Sequence, residues 1–237
     1  MARKLLVVGA HSADFVWRAA GSVAVTTANG GDALVVALSY GERGESGNLW
    51  KEPGQTVENV KRIRHEQAEQ AAAAVGARFT CLDLGDYPLK ITDEAVDSLV
   101  QLLRDEAPDA VLTHTASDPF NPDHPVAFEA VRLARQLTAG AGVESAFARI
   151  DPPAFFVFEP HQPELCGFEP NTFLDITPVF DRKVKAMEAM GAQSYLKEYY
   201  TELANRRGNH ARRISGKQQV KQAEALQRML PSVVEAL

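Results

Sequence analysis

The sequence predicts an α/β fold: a mostly parallel β-sheet with helices on both faces. Two observations carry that expectation. Short, continuously apolar runs at residues 5–10, 33–38 and 110–113 have the character of strands buried on both faces, as in a parallel sheet. Segments with helical spacing alternate with them, the arrangement of βαβ units in a doubly wound sheet.

Taken in order, residues 5–10 (LLVVGA) give the first strand. Residues 15–29 have helical spacing and meet a glycine stop at Gly30-Gly31. Residues 33–38 give the second strand, and residues 57–75, rich in alanine and charge, a long helix ended by Gly76. Residues 79–82 form a third short strand, residues 92–105 a helix with Thr92 as N-cap, residues 110–113 the fourth strand and residues 124–137 the next helix. The second half is less regular. Residues 154–158 read as a strand followed by a loop over 159–171, and residues 173–176 as another short strand. Thr177-Pro178 then opens a helix, with Thr177 at N-cap and Pro178 at N1. The basic segment Arg206 to Arg213 is expected to be loop-like, and a last helix to run from about Lys217. With no linker, repeat or low-complexity tract, residues 1–237 are expected to form one domain, the second half supplying a lid or wall to the site.

Composition narrows the function classes. The chain has 45% apolar and 24% charged residues, ordinary for a globular protein, and 237 residues suffice for a sizeable core. A net charge of −6 does not favour a nucleic-acid-binding surface. The two cysteines, Cys81 and Cys166, are too few for a disulfide framework or a cysteine-based zinc knuckle. The apolar stretch at residues 5–10 is too short for a signal h-region, and no run approaches the ~18 residues of a membrane span. The expected location is the cytoplasm, with no membrane and no nucleic-acid partner.

Familiar chemical signatures are missing where they would be expected. After the first strand a dinucleotide-binding fold wants GxGxxG; this chain has Gly9-Ala10-His11-Ser12-Ala13-Asp14. There is no Walker A sequence and no GxSxG elbow. Instead, a His and an Asp follow strand one, and strand four runs into His114-Thr-Ala-Ser-Asp118-Pro-Phe-Asn121-Pro-Asp123-His124. Ligands of open α/β sheets bind beyond the carboxyl ends of the strands. Catalytic zinc commonly takes three His or carboxylate ligands and keeps one position open. Either pair alone is more often a satisfied structural group; the two together, at matching strand ends, favour a metal site.

These residues resemble the PIG-L/LmbE family of zinc-dependent N-deacetylases, in which strand one is followed by a His-Pro-Asp-Asp-type motif and a later Asp-His pair carries the second histidine ligand. The resemblance covers the Rossmann-like first ~140 residues. It implies Zn2+, or another divalent metal, held by His11, Asp14 and His124. One departure stands out: the first Asp of the family's pair, the general base of the deacetylases, is Ala13 here. A methyl group cannot take a proton, so ordinary deacetylation is not expected. The stretch His11-Ser-Ala-Asp14-Phe-Val-Trp17-Arg18, the loop Ser39-Tyr40-Gly41-Glu42-Arg43-Gly44-Glu45-Ser46 and Phe158-Glu159-Pro160-His161-Gln162-Pro163 are similar to a hydratase branch of the family. Members of that branch act on 4-oxalomesaconate, also called 4-carboxy-2-hydroxymuconate, in gallate and protocatechuate 4,5-cleavage catabolism.

Hydrating a conjugated double bond needs an oxygen nucleophile on one carbon and a proton on its neighbour, with acid and base groups to move protons. Glu45, in the loop after strand two, and His161, in a proline-flanked loop, are the candidates, against the alternatives of a solvated loop carboxylate and a surface histidine. The implied substrate is a small tricarboxylate. Arg43 is the first candidate anchor because its fork can grip a carboxylate. Arg18 is another, unless it lies on an exposed helix face, and Asn121 and Asp118 could orient ligands or simply cap their loop. Arg206, Arg207, Arg212 and Arg213 read more readily as a solvated tail or a subunit contact, and a homo-oligomer is expected. The competing expectations are a zinc N-deacetylase of an amino sugar or related amide, with Glu45 replacing the missing Asp, and a catalytically silent binding protein.

Overall fold

The computed structural model describes residues 3–233. A seven-stranded sheet runs in the order β3-β2-β1-β4-β5-β7-β6. Its strands are β1 (Lys4–His11), β2 (Asp32–Ser39), β3 (Arg78–Cys81), β4 (Ala110–Thr113), β5 (Ala154–Phe158), β6 (Thr172–Asp175) and β7 (Ala223–Arg228). The first five are parallel, and β7 runs antiparallel to both β5 and β6. The strand order reverses beside β1, with β2 on one side and β4 on the other, so the carboxyl ends of these strands frame a topological switch point.

Alternation along β1 divides the core. Leu5 and Val7 pack with Phe15, Trp17, Val23, Ala68, Ala72 and Tyr200 on one face, whereas Leu6 and Val8 pack with Leu99, Val100, Leu103 and Val131 on the other. The first face is covered by α2 (Ala20–Ala28), α3 (Val57–Val75), α6 (Phe180–Glu188) and α7 (Leu196–Ser215); the second by α4 (Asp93–Glu106) and α5 (Asp123–Leu137). The start and stop signals of α3 are visible in its sequence. The Thr56 hydroxyl accepts from the Asn59 amide, and Gly76 at φ 76° takes the left-handed cap. Thr92 caps α4 in the same way, accepting from Ala95.

Four expectations are corrected. The helix over residues 15–29 is two helices, α1 (Asp14–Arg18) and α2, broken at Ala19 (φ −138°, ψ 0°). The Glu224 carboxylate, from 202 residues away, accepts from the amide and hydroxyl of Ser22 and also from the Gly21 amide, while Lys183 Nζ donates to the Trp17 carbonyl. Distant groups satisfy the break that local spacing could not show.

Arg206 to Arg213 is not a loop but part of α7, whose buried stripe is Tyr200, Ala204, Gly208 and Ala211. The small residues of that stripe are masked in sequence by the charges around them. Gly208 is required by close approach: a Cβ there would lie 1.9 Å from the Lys221 carbonyl oxygen.

No helix starts near Lys217. Residues 223–228 (AEALQR) are good helix formers, yet they form β7, inserted between β5 and β6. Ladder pairing and burial of Ala223, Ala225 and Leu226 override local propensity. Thr177 does not cap a helix directly. It starts a short 3-10 turn before α6, and its hydroxyl accepts from the Lys221 and Gln222 amides, tying α6 to the approach of β7.

Among the described residues no helix is long and apolar enough to cross a membrane.

Candidate metal centre and active site

Because β1, β2, β4 and β5 are parallel, the segments leaving their carboxyl ends meet at one edge. His11 is the last residue of β1, Asp14 begins α1, and His124 lies in the first turn of α5. All three are buried, and one ligand atom from each lies within 4.8 Å of the others. His124 Nε2 is 3.7 Å from Asp14 Oδ1, and His11 Nδ1 is 3.5 Å from Asp14 Oδ2.

The hydrogen bonds around these side chains fit a metal. His11 Nε2 donates to Asp123 Oδ2 over 3.1 Å, and His124 Nδ1 donates to Asp118 Oδ2 over 2.7 Å. Each carboxylate fixes a tautomer whose other nitrogen is a lone pair turned inward. Those nitrogens, His11 Nδ1 and His124 Nε2, are buried without a hydrogen-bond partner among the described residues. Two orphaned imidazole nitrogens beside a carboxylate are the donor set of a divalent cation such as zinc. Burial disfavours charge on His11, but Asp123, Asp14 and Glu45 outweigh it and pull its pKa up to about 10. Burial pushes His124 well below its ordinary value, helped by His114 and Arg18. Burial alone would raise the Asp14 carboxyl; the imidazoles of His114 and His11 hold it well below the usual carboxylate range.

A third histidine, unassigned from sequence, supports this cluster. The His114 ring stacks on His124 with centroids 4.0 Å apart. Its Nδ1 accepts from Arg18 over 3.0 Å, and its Nε2 lies 3.0 Å from Asp14 Oδ2 and 2.9 Å from the Ala10 amide nitrogen. Arg18 therefore does not lie on an exposed helix face. Its side chain is 9% exposed, also lies 3.5 Å from Asp14 Oδ1, and sits over the Phe158 ring.

The loop after β2 brings Glu45 to the same edge. Gly41, at φ 71°, makes the approach possible: a Cβ there would lie 2.9 Å from Glu45 Cβ and 3.1 Å from His11 Cβ. Glu45 Oε1 accepts from Asn121 Nδ2 (2.8 Å) and the Tyr87 hydroxyl (3.4 Å), and Oε2 accepts from Gln193 Nε2 (2.9 Å). Asn121 thus holds Glu45. Asp118 both orients His124 and caps the amides of Phe120 and Asn121, so both of its sequence readings apply.

His161 follows β5 and is half-buried. Its ring lies against Tyr199, centroids 4.2 Å apart, and its carbonyl accepts from the Tyr199 hydroxyl over 2.6 Å. Burial lowers its pKa, Arg18 lowers it further and Asp118 opposes. Arg43 stands apart: its amide donates to Asp86, and its guanidinium is exposed, without an ion pair among the described residues.

Sequence reasoning missed Asp123, His114, Tyr87, Gln193 and Arg64. Asp123, beside His124, and His114, directly after β4, left a local signal. Arg64 is fully buried in α3; Nε donates to the Tyr40 carbonyl and Nη2 to Gln193 Oε1, while Nη1 has no partner among the described residues. Burial lowers its pKa to about 10, against the pull of Glu45 and Asp14.

The sequence profile of the PIG-L family, described as GlcNAc-PI de-N-acetylase, matches residues 6–135. The chain belongs to the PIG-L family. Over 99% of its length it is 42% identical to the 4-oxalmesaconate hydratase of Pseudomonas putida KT2440, covering 92% of that protein. The crystal structure of GalB, the 4-carboxy-2-hydroxymuconate hydratase of Pseudomonas putida KT2440, superposes with a TM-score of 0.96 at 42% identity, covering 99% of both chains. The N,N'-diacetylchitobiose deacetylase of Pyrococcus horikoshii shares the fold, with a TM-score of 0.79 at 19% identity over 96% of this chain and 84% of that one.

Proposed function

We propose that this chain is a metal-dependent hydratase. It adds water to a conjugated double bond of 4-oxalomesaconate (4-carboxy-2-hydroxymuconate), giving 4-carboxy-4-hydroxy-2-oxoadipate in gallate or protocatechuate 4,5-cleavage catabolism. The observation that carries this reading is the near-full-length similarity to the hydratase of Pseudomonas putida KT2440. Ala13, buried next to Asp14, agrees with it, since the base a deacetylase needs is a methyl group here.

Zinc is the expected cation, with His11, Asp14 and His124 as its ligands, and when bound it supplies Lewis acidity to the site. The protein's own groups move the protons. Glu45, on which three donors converge, accepts the proton that water loses as its oxygen bonds to one carbon. His161 relays a proton from solvent to the neighbouring carbon, so that one water is added and nothing is oxidised. Arg43, exposed on the loop that carries Glu45, is the candidate anchor for a substrate carboxylate. Arg18, tied to His114 and Asp14, acts by fixing the metal wall.

The test is turnover of 4-carboxy-2-hydroxymuconate, followed as loss of its conjugated absorbance, beside acetate release from N-acetyl amino sugars. Metal-dependent loss of absorbance without acetate is expected. Acetate release without hydration would replace this reading by an amidohydrolase.

A further inference from the structure

The segment after β3 touches both halves of the site. At its centre Tyr87 is a non-glycine residue at φ 44°. L side chains rarely adopt that conformation, and it persists only where the surroundings over-determine it, often at functional sites. Here the surroundings act on backbone and side chain at once. The Tyr87 amide donates to Asp123 Oδ2 over 3.0 Å, and the Leu89 amide to Asp123 Oδ1 over 2.8 Å; this is the carboxylate that orients the His11 ring. The Asp86 carboxylate, fully buried, accepts from the Arg43 and Gly44 amides and so pins the loop that carries Glu45.

The Tyr87 ring has a space made for it. A Cβ at Gly44 would lie 2.1 Å from Tyr87 Cδ2 and Cε2, so only glycine lets the loop pass the ring. The ring centroid is 6.0 Å from that of His11, and its hydroxyl reaches Glu45 Oε1 at 3.4 Å. A carboxylate offers about four lone-pair sites, two on each oxygen. Asn121 holds one site of Oε1 at 2.8 Å, the Tyr87 hydroxyl faces the other at 3.4 Å, and Gln193 holds one of Oε2 at 2.9 Å.

We propose that Tyr87 is a positioning residue for Glu45: its hydroxyl, with Asn121, fills Oε1, so that the one lone pair left to receive the proton from water is on Oε2. This rests on the reading of Glu45 as the proton acceptor. Without the Tyr87 hydroxyl a site on Oε1 opens and the carboxylate can turn, so that productive and unproductive orientations compete. The ring, its packing on Gly44 and the amide bond to Asp123 remain when only the hydroxyl is removed, which makes Tyr87→Phe the informative variant.

The experiment is a double-mutant cycle with Tyr87→Phe and Glu45→Gln in the zinc-loaded full chain, assayed on 4-carboxy-2-hydroxymuconate, with zinc content and melting temperature measured for each protein. Tyr87→Phe is expected to lower kcat about tenfold, the scale of one hydrogen bond to a charged group, with KM within about twofold and unchanged metal and melting temperature. In the Glu45→Gln background it should cause no further loss, because a residue acting through Glu45 has nothing left to act on. A Tyr87→Phe protein with ordinary kcat overturns the inference while leaving the role of Glu45 standing. So does the same tenfold loss in both backgrounds. Ordinary turnover by Glu45→Gln alone overturns the reading of Glu45, and the role of Tyr87 with it.

Discussion

The ring of His11 hangs on Asp123: Nε2 and Oδ2 are 3.1 Å apart, and both side chains are 1% exposed. The same carboxylate takes the amides of Tyr87 and Leu89, so its position is fixed from three directions, and Nδ1 of His11 is left facing Asp14 and His124. An imidazole that can neither rotate nor exchange tautomers presents its lone pair to a cation at no orientational cost.

Asp123→Asn should therefore loosen the metal more than the fold. Removing such a partner typically weakens metal affinity by about 10–100-fold. Competition with a chromogenic chelator measures it; affinity equal to that of the unaltered protein would mean the ring is held by packing alone. Complete removal of the metal should abolish turnover, and adding zinc back should restore it.

Glu45→Ala and His161→Ala should each lose about 10²–10⁴ in kcat, the usual contribution of a general acid or base, while keeping bound metal. Steady-state rates at saturating substrate, with metal content verified, decide this. Near-normal turnover in both variants would send the protons by another route.

The unaltered protein should release no acetate from N-acetyl sugars. Position 13 lies at the start of α1, 2% exposed, beside Asp14, and a methyl group there accepts no proton. Robust acetate release, measured by an enzyme-coupled assay, would show that Glu45 substitutes for the missing carboxylate.

Glu42 offers a pH test of stability away from the metal ligands. Its side chain is 1% exposed and Oε2 has no partner among the described residues. Burial raises its pKa, and Asp86 and Asp83 raise it further, against its own backbone amide and Lys61. A carboxyl whose folded pKa stands above its unfolded one holds its proton more tightly in the folded protein. Its contribution to stability is fullest below the unfolded pKa and is lost as pH rises through the folded pKa. Glu42→Gln, neutral throughout, should melt at a higher temperature than the unaltered protein at pH 8, and the gap should close towards pH 4. Thermal melts across that range test the sign; a gap that is constant or widens in acid refutes it.

The parallel half of the sheet was legible in the sequence because its strands are buried on both faces, which makes each a continuous apolar run such as residues 5–10 or 33–38. Helix ends carried by one residue, such as Thr56 or Gly76, are equally local. That the His11 segment and the segment from His114 to His124 meet followed from the same logic, because parallel strands put their carboxyl ends on one edge; the choice of His11, Asp14 and His124 within them came from the resemblance to the PIG-L family.

Tertiary contact alone decided the rest. Residues 223–228 would be helical on propensity and are a strand because the antiparallel ladder with β5 and β6 satisfies their backbone and buries their alanines. The break after Arg18 exists because Glu224 and Lys183 reach it from the far end of the chain. The groups that orient the site are of the same kind. Asp123 on His11, His114 on Asp14, and Tyr87 and Gln193 on Glu45 join residues between 42 and 148 positions apart. A sequence motif records which groups can bind a metal or carry a proton, because that is a property of the side chain. Which lone pair points where is set by hydrogen bonds across the fold, and those exist only once the chain is packed.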